Sequence, residues 1–338
     1  MKTILVTGGS GFIGSHFVHY FLKNYSDYTI INLDKLTYAH CNDHLKPLAD
    51  HSNYTFIHGD ICDQTLINQL FEAHQFDGVF HFAAESHVDN SITGPEIFID
   101  TNIKGTYNLI HAAKTCWMTE PFKPKSNFKD ARFHHISTDE VYGSLGPRGA
   151  FLETTPYAPN SPYSASKASS DFIVRSYHHT FGLNTTISNC SNNYGPHQHD
   201  EKLIPTIIRN AIQQRPIPIY GDGKNIRDWL YVTDHVDAIC KIFFHGNSGE
   251  TYNIGTRNEL TNLEITYHIC DELDNRLKPT AISSHRDLIN FVKDRPGHDR
   301  RYAINPTKIE SELNWQALSD FKTHLQETIR FYIEKYRS

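Results

Sequence analysis

The sequence predicts an α/β fold, with a doubly wound parallel sheet followed by a smaller C-terminal α/β lobe. Short apolar segments alternate with segments of helical periodicity through the first half of the chain, and this alternation is typical of βαβ units. The chain has 338 residues, more than a typical single domain, so we expect an appended lobe. Beyond about Gly195 the segments become less regular, and this part is expected to form that lobe.

The expected elements follow from the periodicity of each segment. We expect strands, in order, in TILVTG, YTIINLD, YTFIHGD, DGVFHFAA, ARFHHIST and LNTTISNCS. We expect helices near 12–24, 63–74, 97–117 and 161–181, and then in EKLIPTIIRNAI and VTDHVDAICKIFF. The last helix is expected to open at Thr233 or Asp234, two residue types that cap helix N-termini. We expect a surface insertion at the polar stretch 120–130, and short strands and turns in PIPIYGDGKNIRDWLYV.

The composition and the charge exclude several classes of protein. The chain carries 32 Lys and Arg against 38 Asp and Glu, a formal charge of −6, without a block of like charges. A nucleic-acid partner is therefore not expected. Six cysteines are scattered without metal-ligand or C-x-x-C spacing, which fits a reducing compartment. The N-terminal segment enters a strand pattern at once and no apolar stretch reaches membrane-spanning length, so we expect a cytoplasmic protein without a membrane partner.

The 22 histidines include two adjacent pairs, His134/His135 and His178/His179, that raise the question of a metal site. Adjacent side chains point to opposite faces of a strand and diverge on a helix, so neither pair can converge on one ion. No H-E-x-x-H pattern occurs in the sequence. We therefore expect no metal, and we expect these histidines to be ordinary surface or partly buried imidazoles.

A glycine-rich segment, TGGSGFIGS, follows the first predicted strand and opens the first predicted helix. Its Gly8, Gly9, Gly11 and Gly14 satisfy the G-x-G-x-x-G spacing. Such glycines permit a tight turn and let the backbone approach a pyrophosphate, to which the helix N-terminus offers free N–H groups. A glycine-rich turn without a ligand is the alternative. The position after a strand favours a Rossmann-type domain that binds a dinucleotide.

Acidic residues at the ends of the next two predicted strands indicate which dinucleotide is bound. Asp34 lies about 20 residues beyond the last glycine, where a carboxylate accepts hydrogen bonds from the adenosine ribose. It would repel a 2′-phosphate, so NAD is preferred over NADP, although Lys35 follows immediately. Asp60 ends the third strand, where it is placed either to meet the adenine amine or to cap the next helix.

Tyr163 and Lys167, in the segment YSASK, are four residues apart at the start of a predicted helix and therefore share one face. A nearby ammonium favours the phenolate, so Lys167 is expected to lower the pKa of Tyr163 and make it a base toward a substrate hydroxyl. The Y-x-x-x-K spacing alone arises often by chance. Downstream of a dinucleotide-binding motif, it predicts a catalytic pair.

Three reactive side chains, Thr138, Asp139 and Glu140, follow the strand ARFHHIS directly. A solvated Asp–Glu turn would be the default in an arbitrary loop. Doubly wound sheets bind ligands at the carboxyl ends of their strands, so we expect these groups to be catalytic. Paired carboxylates supply an acid and a base for the elimination of water.

Taken together, these features resemble the extended short-chain dehydrogenase/reductase superfamily, and in particular its dTDP-glucose 4,6-dehydratases. The resemblance covers nearly the whole chain. It is carried by NLDKLTYA, FAAESHVDNSI, STDEVYG, YSASK, NCSNNYGP, EKLIP, IRDWLYV and FVKDRPGHDRRYAIN. Two places depart from the family pattern, namely HQHD at 197–200, where an aromatic and a proline are usual, and Asn314, where glycine is usual. The first departure leaves the loop geometry and the base preference open.

The resemblance implies the binding residues and the domain organisation. Residues 1–190 would form the NAD-binding Rossmann domain with the catalytic residues, and 191–338 mainly the nucleotide-sugar lobe, with some chain crossing back to the sheet. The cofactor would be held by Gly8, Gly11, Phe12, Ile13, Gly14, Asp34, Lys35, Thr37, Asp60, Ile61, Ala83, Ala84, Thr101, Tyr163 and Lys167. The substrate would be held by Ser86, His87, Thr138, Asn192, Lys202, Leu203, Pro218, Tyr220, Arg227, Asn262, Arg295 and His298.

The family mechanism would use Tyr163, with Thr138 and Lys167, for oxidation at C4, and then Glu140 as base and Asp139 as acid for the loss of water. A homodimer is expected, with helices 97–117 and 161–181 forming a four-helix interface. Three alternatives stay open: a 4,6-dehydratase for another nucleotide sugar such as UDP-glucose, a nucleotide-sugar 4-epimerase or decarboxylase, and a non-catalytic NAD-binding regulator.

Overall fold

The computed structural model describes residues 1–279, 282–318 and 320–337. Its strands are Lys2–Thr7 (β1), Tyr28–Asp34 (β2), Tyr54–His58 (β3), Gly78–His81 (β4), Met118–Glu120 (β5), Lys123–Pro124 (β6), Arg132–Thr138 (β7), Thr185–Cys190 (β8), Asn192–Tyr194 (β9), Ile217–Tyr220 (β10), Ile226–Tyr231 (β11), Thr251–Ile254 (β12), Glu259–Thr261 (β13) and Ile289–Val292 (β14). Its α-helices are Phe12–Asn24 (α1), Asn42–Leu45 (α2), Gln64–His74 (α3), Val88–Thr93 (α4), Glu96–Phe98 (α5), Thr106–Trp117 (α6), Pro162–Phe181 (α7), Leu203–Ile212 (α8), Val232–His245 (α9), Asn262–Leu277 (α10), Thr307–Leu313 (α11) and Phe321–Arg337 (α12).

A seven-stranded parallel sheet in the order β12-β8-β7-β4-β1-β2-β3 forms the centre of the molecule. The inner strands β4 and β8 are buried on both faces because helices cover both sides, as in doubly wound folds. The order of the strands reverses between β1 and β4, and such a switch point opens a crevice at the carboxyl ends of the strands. The predicted α/β class and the Rossmann-type sheet are confirmed.

The second half of the chain builds two small sheets and also returns to the large one. β13, β11 and β9 form one small sheet, and β10 pairs with β14 in the other. A separate core packs α8, α10 and α12 around these strands. In contrast, β12 joins the edge of the large sheet, and residues of α9 pack into the core under α1. The expected division at residue 190 therefore separates the half that carries the catalytic residues, but the packing is continuous across it.

Two expected helix boundaries differ from the structure. The helix expected over 97–117 contains a π-helical segment, Ile99–Gly105, between α5 and α6. Within this segment the Asn102 side chain bonds the backbone of Glu85 in both directions, at 2.8 and 3.0 Å, which holds the widened turn against the sheet edge. The helix expected to open at Thr233 or Asp234 begins instead at Val232, directly after β11, without a side-chain cap.

The polar stretch 120–130 forms the end of a short β5–β6 hairpin and a single 3₁₀ turn at Ser126–Phe128. Its Phe122 side chain is 66% exposed, in agreement with the expected surface insertion. None of the helices in the described ranges has the length and apolarity needed to cross a membrane.

One of the two adjacent histidine pairs is more deeply buried than expected, whereas His178 is partly buried and His179 exposed, as expected. His134 and His135 are fully buried on β7, so the expectation of surface or partly buried imidazoles is wrong for this pair. His134 contacts the hydroxyls of Thr186 and Ser188 on the neighbouring strand β8, whereas His135 faces α7. The opposite faces agree with the predicted strand geometry. Within the described residues no group of His, Cys, Asp or Glu is arranged to hold a metal ion.

A second group of histidines, His16, His19, His44 and His197, joins α1, α2 and the loop before α8. The rings of His44 and His197 stack at 3.9 Å, and those of His16 and His19 lie 4.6 and 4.5 Å from that of His44. Burial lowers the pKa of both His16 and His197 to about 4 and that of His44 to about 2. His16, His44 and His197 are therefore neutral in the folded protein at pH 6, where most free histidines are charged.

We expect the free energy of unfolding to fall steeply as the pH decreases from about 6.5 to about 4. A histidine with a depressed folded-state pKa binds its proton more readily in the unfolded chain, so acid favours unfolding by about 1.4 kcal/mol per pH unit for each such group. Burial lowers the pKa of His235 to about 3, so His235→Gln should make the slope shallower by about this amount. Urea unfolding at several pH values measures it, and the exposed His179→Gln is the control, which should leave the slope unchanged.

Candidate active site

A cleft of about 330 Å³ opens at the carboxyl ends of the sheet strands, at the switch between β1 and β4. Its wall contains every residue that was expected to hold the cofactor: Gly8, Gly11, Phe12, Ile13, Gly14, Asp34, Lys35, Thr37, Asp60, Ile61, Ala83, Ala84, Thr101, Tyr163 and Lys167. It also contains Thr138, Asp139 and Glu140. One cavity therefore brings together the proposed cofactor site and the proposed catalytic groups.

The glycine-rich turn leaves space that a side chain would close. Gly8 has a φ of +72°, and a Cβ there would come within 2.5 Å of the Ala83 backbone nitrogen. A Cβ on Gly14 would come within 2.2 Å of the Gly8 carbonyl oxygen, so glycine is required for α1 to pack against the turn. The N-terminus of α1, which carries no side-chain cap, thereby presents its N–H groups to the cleft.

Asp34 organises the turn as well as facing the cleft. Its carboxylate accepts hydrogen bonds from the backbone N–H groups of Ser10, at 2.9 Å, and Leu36, at 2.8 Å. The Lys35 ammonium pairs at 2.6 Å with the Asp60 carboxylate. This pairing neutralises the positive charge that could otherwise have favoured the 2′-phosphate of NADP. Asp60 does not cap α3, because Asp63 accepts the hydrogen bond from the Leu66 N–H there.

Asp34→Ala is expected to weaken NAD binding by about 10- to 100-fold, the effect of losing charge-assisted hydrogen bonds of about 1.5–3 kcal/mol, and to reduce the preference over NADP. Titration of the protein fluorescence with each cofactor measures both. Loss of the hydrogen bond between Asp34 and Ser10 would weaken the binding of NAD and NADP to the same extent. The ratio of the two affinities therefore reports the recognition of the ribose alone. Asp63→Ala, which removes a helix cap outside the cleft, is the control. Equal affinity of the unaltered protein for both cofactors would refute the assignment.

Asp139 and Glu140 form a single-turn 3₁₀ helix at the end of β7, capped by the Thr138 hydroxyl. Burial, and then the neighbouring Glu140, raise the pKa of Asp139 well above its usual range. Burial also raises the pKa of Glu140, but Arg295, Arg227 and Lys202 oppose this rise. Asp139 therefore keeps its proton while Glu140 ionises first, which are the states required of an acid and a base.

Tyr163 and Lys167 lie in the first two turns of α7, which a capping box formed by Ser161 and Ser164 holds in place. The Lys167 ammonium donates a 2.8 Å hydrogen bond to the Ile136 carbonyl. The expected lowering of the pKa of Tyr163 by Lys167 is wrong for the cleft as it stands. Burial, followed by Glu140, raises the pKa of Tyr163 well above its usual range, and a hydrogen bond from Thr138 opposes it.

Three cations act on Glu140 at one end of the cleft: Lys202 in its wall, and Arg227 and Arg295 just outside the wall. The Lys202 ammonium donates to the Ser86 carbonyl at 3.0 Å, and the Arg227 guanidinium stacks 4.2 Å from the Tyr302 ring. Arg295 lies 3.2 Å from the Asp89 carboxylate, and its buried Nε has no hydrogen-bond partner among the described residues. A buried, unpartnered guanidinium nitrogen is costly unless an anion is bound there.

The expected substrate residues divide into two groups. Ser86, Thr138, Asn192 and Lys202 line the cleft, whereas the others lie outside its wall: His87, Leu203, Pro218, Tyr220, Arg227, Asn262, Arg295 and His298. Pro218 and Tyr220 share the exposed face of β10, Asn262 begins α10, and His298 packs edge-on to Tyr220 at 6.2 Å. Of the three arginines in RPGHDRR, Arg300 and Arg301 pair with Asp222 and Glu259, whereas Arg295 acts on Glu140 from outside the wall.

Comparisons with known proteins agree with this geometry. A family model described as GDP-mannose 4,6 dehydratase matches residues 5–328. A dTDP-glucose 4,6-dehydratase from Salmonella typhimurium is 52% identical over 98% of this chain and 92% of its own length. The chain belongs to the dTDP-glucose 4,6-dehydratase family.

Solved structures of the dehydratase family have the same fold. The enzyme from Streptomyces venezuelae, crystallised with NAD and TYD bound, is 42% identical with a TM-score of 0.88, over 98% of this chain and 97% of that one. The enzyme from Bacillus anthracis, in complex with NAD, is 43% identical with a TM-score of 0.85, over 100% of this chain and 98% of that one. The resemblance inferred from the sequence is thus confirmed.

Several cleft residues of this dehydratase-family chain were missed in the sequence. Glu201 lies 3.7 Å from both His87 and Lys202, and its position directly before Lys202 in EKLIP was a usable signal. Asp89 accepts from the Tyr220 hydroxyl and pairs with Arg295, each at 3.2 Å. Asp89 lies outside the wall, within the motif FAAESHVDNSI, which does not indicate its partners because they are more than a hundred residues away. The remaining unexpected wall residues include Glu85, Cys190, Asn193, Gln198 and His199.

The segment 197–200, which departs from the family pattern, is anchored on the cofactor side of the cleft. The His197 ring stacks on that of His44 and packs against Phe331 at 4.4 Å. The Asp200 carboxylate accepts hydrogen bonds from Lys335 and Tyr336, both at 2.7 Å. These contacts with α2 and α12 link the C-terminal helix to the segment that follows Asp34.

Proposed function

We propose that this protein converts dTDP-glucose to dTDP-4-keto-6-deoxyglucose, as an NAD-dependent hydro-lyase of deoxysugar biosynthesis. The observation that carries the proposal is the pair Asp139 and Glu140, held at the end of β7 with different proton affinities beside Tyr163. A 4-epimerase needs only the hydroxyl groups beside the cofactor, whereas the elimination of water needs an acid and a base. Similarity to dTDP-glucose 4,6-dehydratases over nearly the full chain supports the same reaction.

The residues of the cleft fit NAD. The space at Gly8 and Gly14 that a Cβ would fill suits a pyrophosphate, and Asp34 stands where the adenosine ribose would lie. When bound, NAD supplies a hydride acceptor for C4, a hydride donor for C6 and the positive charge of its nicotinamide ring. Because the cofactor is regenerated in each cycle, the protein has to keep the intermediate enclosed.

The substrate diphosphate is assigned to the cationic end of the cleft, where Arg295, Arg227 and Lys202 supply the donors. Pro218 and Tyr220 then offer a flat surface for the base on β10. The hexose would extend from there toward Glu140 and Tyr163. In this arrangement the phosphates also bind Arg295, Arg227 and Lys202. These are the cations that oppose the rise in the pKa of Glu140.

The reaction would begin at C4 once the Lys167 ammonium, together with the positive charge of bound NAD, favours ionisation of Tyr163. The Tyr163 phenolate then accepts the proton of the 4-hydroxyl as the C–H bond of C4 breaks. The resulting ketone makes the C5 hydrogen acidic, so the Glu140 carboxylate can remove it. Asp139, which holds its proton, protonates the C6 hydroxyl as it leaves as water. The C5–C6 double bond is then reduced at C6, and Glu140, whose proton exchanges with solvent, protonates C5.

Incubation of the purified protein with dTDP-glucose in deuterated water, followed by NMR of the product, tests the proposal. We expect a 4-keto-6-deoxy sugar with deuterium at C5. A thermal-shift comparison of dTDP-glucose, UDP-glucose, CDP-glucose and GDP-mannose should show the largest stabilisation with dTDP-glucose, because a ligand stabilises the state that binds it. A 4-epimer or a decarboxylated product, or stabilisation by NAD without turnover of any of these sugars, would contradict it.

We also propose that two copies of the chain associate through α6 and α7. These helices lie side by side, with the His111 ring 2.9 Å from the Tyr177 hydroxyl. Large apolar side chains remain exposed on this surface, namely Ile99 at 55%, Tyr107 at 41% and Phe172 at 57%. Pairing with the same helices of a second copy would bury them in a four-helix interface.

Light scattering at micromolar concentration is expected to report twice the mass of one chain. The double variant Tyr107→Glu with Phe172→Glu should shift the mass to that of a monomer, because it places charge in an apolar contact. Leu318→Glu, on a side chain that is 88% exposed after α11, is the control and should remain dimeric. A monomeric mass for the unaltered protein would refute the interface.

A further inference from the structure

A buried carboxylate, Asp171, lies on α7 one turn beyond Lys167 and two turns beyond Tyr163. The spacing of four places all three side chains on one face of the helix. Asp171 is 0% exposed and Lys167 is 4% exposed. The Asp171 Oδ2 atom accepts hydrogen bonds from the hydroxyls of Ser137 and Tyr157, both at 2.9 Å. Its Oδ1 atom has no hydrogen-bond partner among the described residues.

The imidazole of His135 lies between this carboxylate and the Lys167 ammonium. Its Nε2 atom is 3.2 Å from Asp171 Oδ1 and 3.4 Å from Lys167 Nζ. Burial, and then the charge of Lys167, lower the pKa of His135 well below its usual range. The ring is therefore neutral, so it separates the two charged groups without adding a third charge.

The other groups that face Lys167 carry no negative charge. His81 on β4 is neutral, because burial, His135 and Lys167 hold its pKa well below the usual range. Cys190 on β8 is a thiol, because burial raises its pKa to about 12. Tyr163 retains its proton. Among the described residues that act on Lys167, Asp171 is thus the anion.

The balance of charge at this pair is set by burial. Burial raises the pKa of Asp171 to about 6, opposed first by Lys167. Burial lowers the pKa of Lys167 to about 8, opposed first by Asp171. Between these two values both groups are charged, so the ammonium beneath the cleft exists at neutral pH because the carboxylate is present.

We propose that Asp171 is a positioning residue of the active site, whose buried carboxylate acts across His135 to keep Lys167 an ammonium beneath the cleft. The proposal rests on the proposed function, since it gives Asp171 a part in activating Tyr163 for the same reaction. A carboxylate with a purely structural role would need only its two hydroxyl donors. The unbonded Oδ1 atom, directed at His135, is the feature that such a role leaves unexplained.

The protonation state of Lys167 can be measured without substrate or cofactor, by labelling with acetic anhydride across about pH 6 to pH 10 and peptide mass spectrometry. Only the neutral amine reacts. In Asp171→Asn the midpoint of Lys167 labelling is expected to fall by about one pH unit or more, the usual effect of removing an opposite charge nearby. The alkaline limb of kcat/KM should move in the same direction, with about fivefold lower activity at pH 8 for a shift of one unit, because the ammonium fraction falls from about one half to about one tenth.

Tyr157→Phe is the matched control, because it removes one hydrogen bond to Asp171 and leaves the charge in place. It should lower the stability while leaving the labelling midpoint of Lys167 unchanged. If Asp171→Asn does not fold, Asp171→Ser removes the same charge and leaves room for water. If a folded neutral variant labels Lys167 at the same midpoint as the unaltered protein, the proposal is overturned. A lack of turnover with dTDP-glucose would count against the proposed function alone, since the labelling does not depend on it.

Discussion

Glu140→Gln is expected to slow the exchange of the substrate's C5 hydrogen with solvent by about 10²–10⁴-fold, the usual contribution of a positioned base. The variant keeps the size of the side chain and removes its basicity. Oxidation at C4 depends on Tyr163 and the cofactor, so some bound 4-keto sugar and reduced nicotinamide should still form. Incubation in deuterated water, acid quench and mass spectrometry of the recovered sugar measure the exchange.

Asp139→Asn separates the acid from the base in the same experiment. This change removes the proton donor to the C6 hydroxyl, so the elimination of water should slow by about 10²–10⁴-fold while the exchange at C5 survives better. Glu72→Gln, an exposed change on α3, is the procedural control. If Glu140→Gln exchanged the C5 hydrogen at the unaltered rate, Glu140 would not be the base and the division of labour between the two carboxylates would be wrong.

Tyr163→Phe is expected to abolish both C4 oxidation and C5 exchange, because both depend on the removal of the 4-hydroxyl proton. A loss of at least about 10²–10⁴-fold in kcat is expected for a base that starts the reaction. The variant removes one oxygen atom from a side chain that is 8% exposed, so the fold and NAD binding should remain. Stopped-flow absorbance of the reduced nicotinamide, together with deuterium at C5, measures the two steps.

A matched control lies on the same helix. Tyr177→Phe removes a hydroxyl that contacts His111 on α6, away from the cleft, and it should leave the chemical steps unchanged. Were Tyr163→Phe to retain C5 exchange, the proton of the 4-hydroxyl would have another acceptor, and the Glu140 and Thr138 side chains would have to be tested in its place.

The parts of this protein that could be predicted from the sequence are those whose signals are local. The glycine turn, the acidic residue that ends β2 and the reactive residues after β7 each adjoin a strand, and parallel strands bring their carboxyl ends to one edge. That is why Gly8, Asp34, Thr138 and Tyr163 line one cleft although up to 155 positions separate them. The α/β class and the family followed from the same signals, and both are confirmed.

Contacts between distant segments could not be predicted in this way. Asp89 meets Tyr220 and Arg295 across more than a hundred residues, and the motif FAAESHVDNSI that contains Asp89 does not indicate these partners. The π-helical segment over 99–105 depends on the hydrogen bonds between Asn102 and Glu85. Periodicity detects neither feature, because both depend on which segments the fold places side by side.

The sequence by itself therefore determined the class of fold, the dinucleotide turn and the identity of the reactive side chains. Only the tertiary structure decided their proton affinities, since these depend on burial and on charges from remote parts of the chain. Asp139 and Glu140 are adjacent carboxylates, yet Arg227 and Arg295 reach Glu140 and make it the one that ionises first. Burial likewise reversed the expected direction for Tyr163 and kept the histidines His134 and His135 neutral. Removing a charged group from water changes its proton affinity more than its sequence neighbours do.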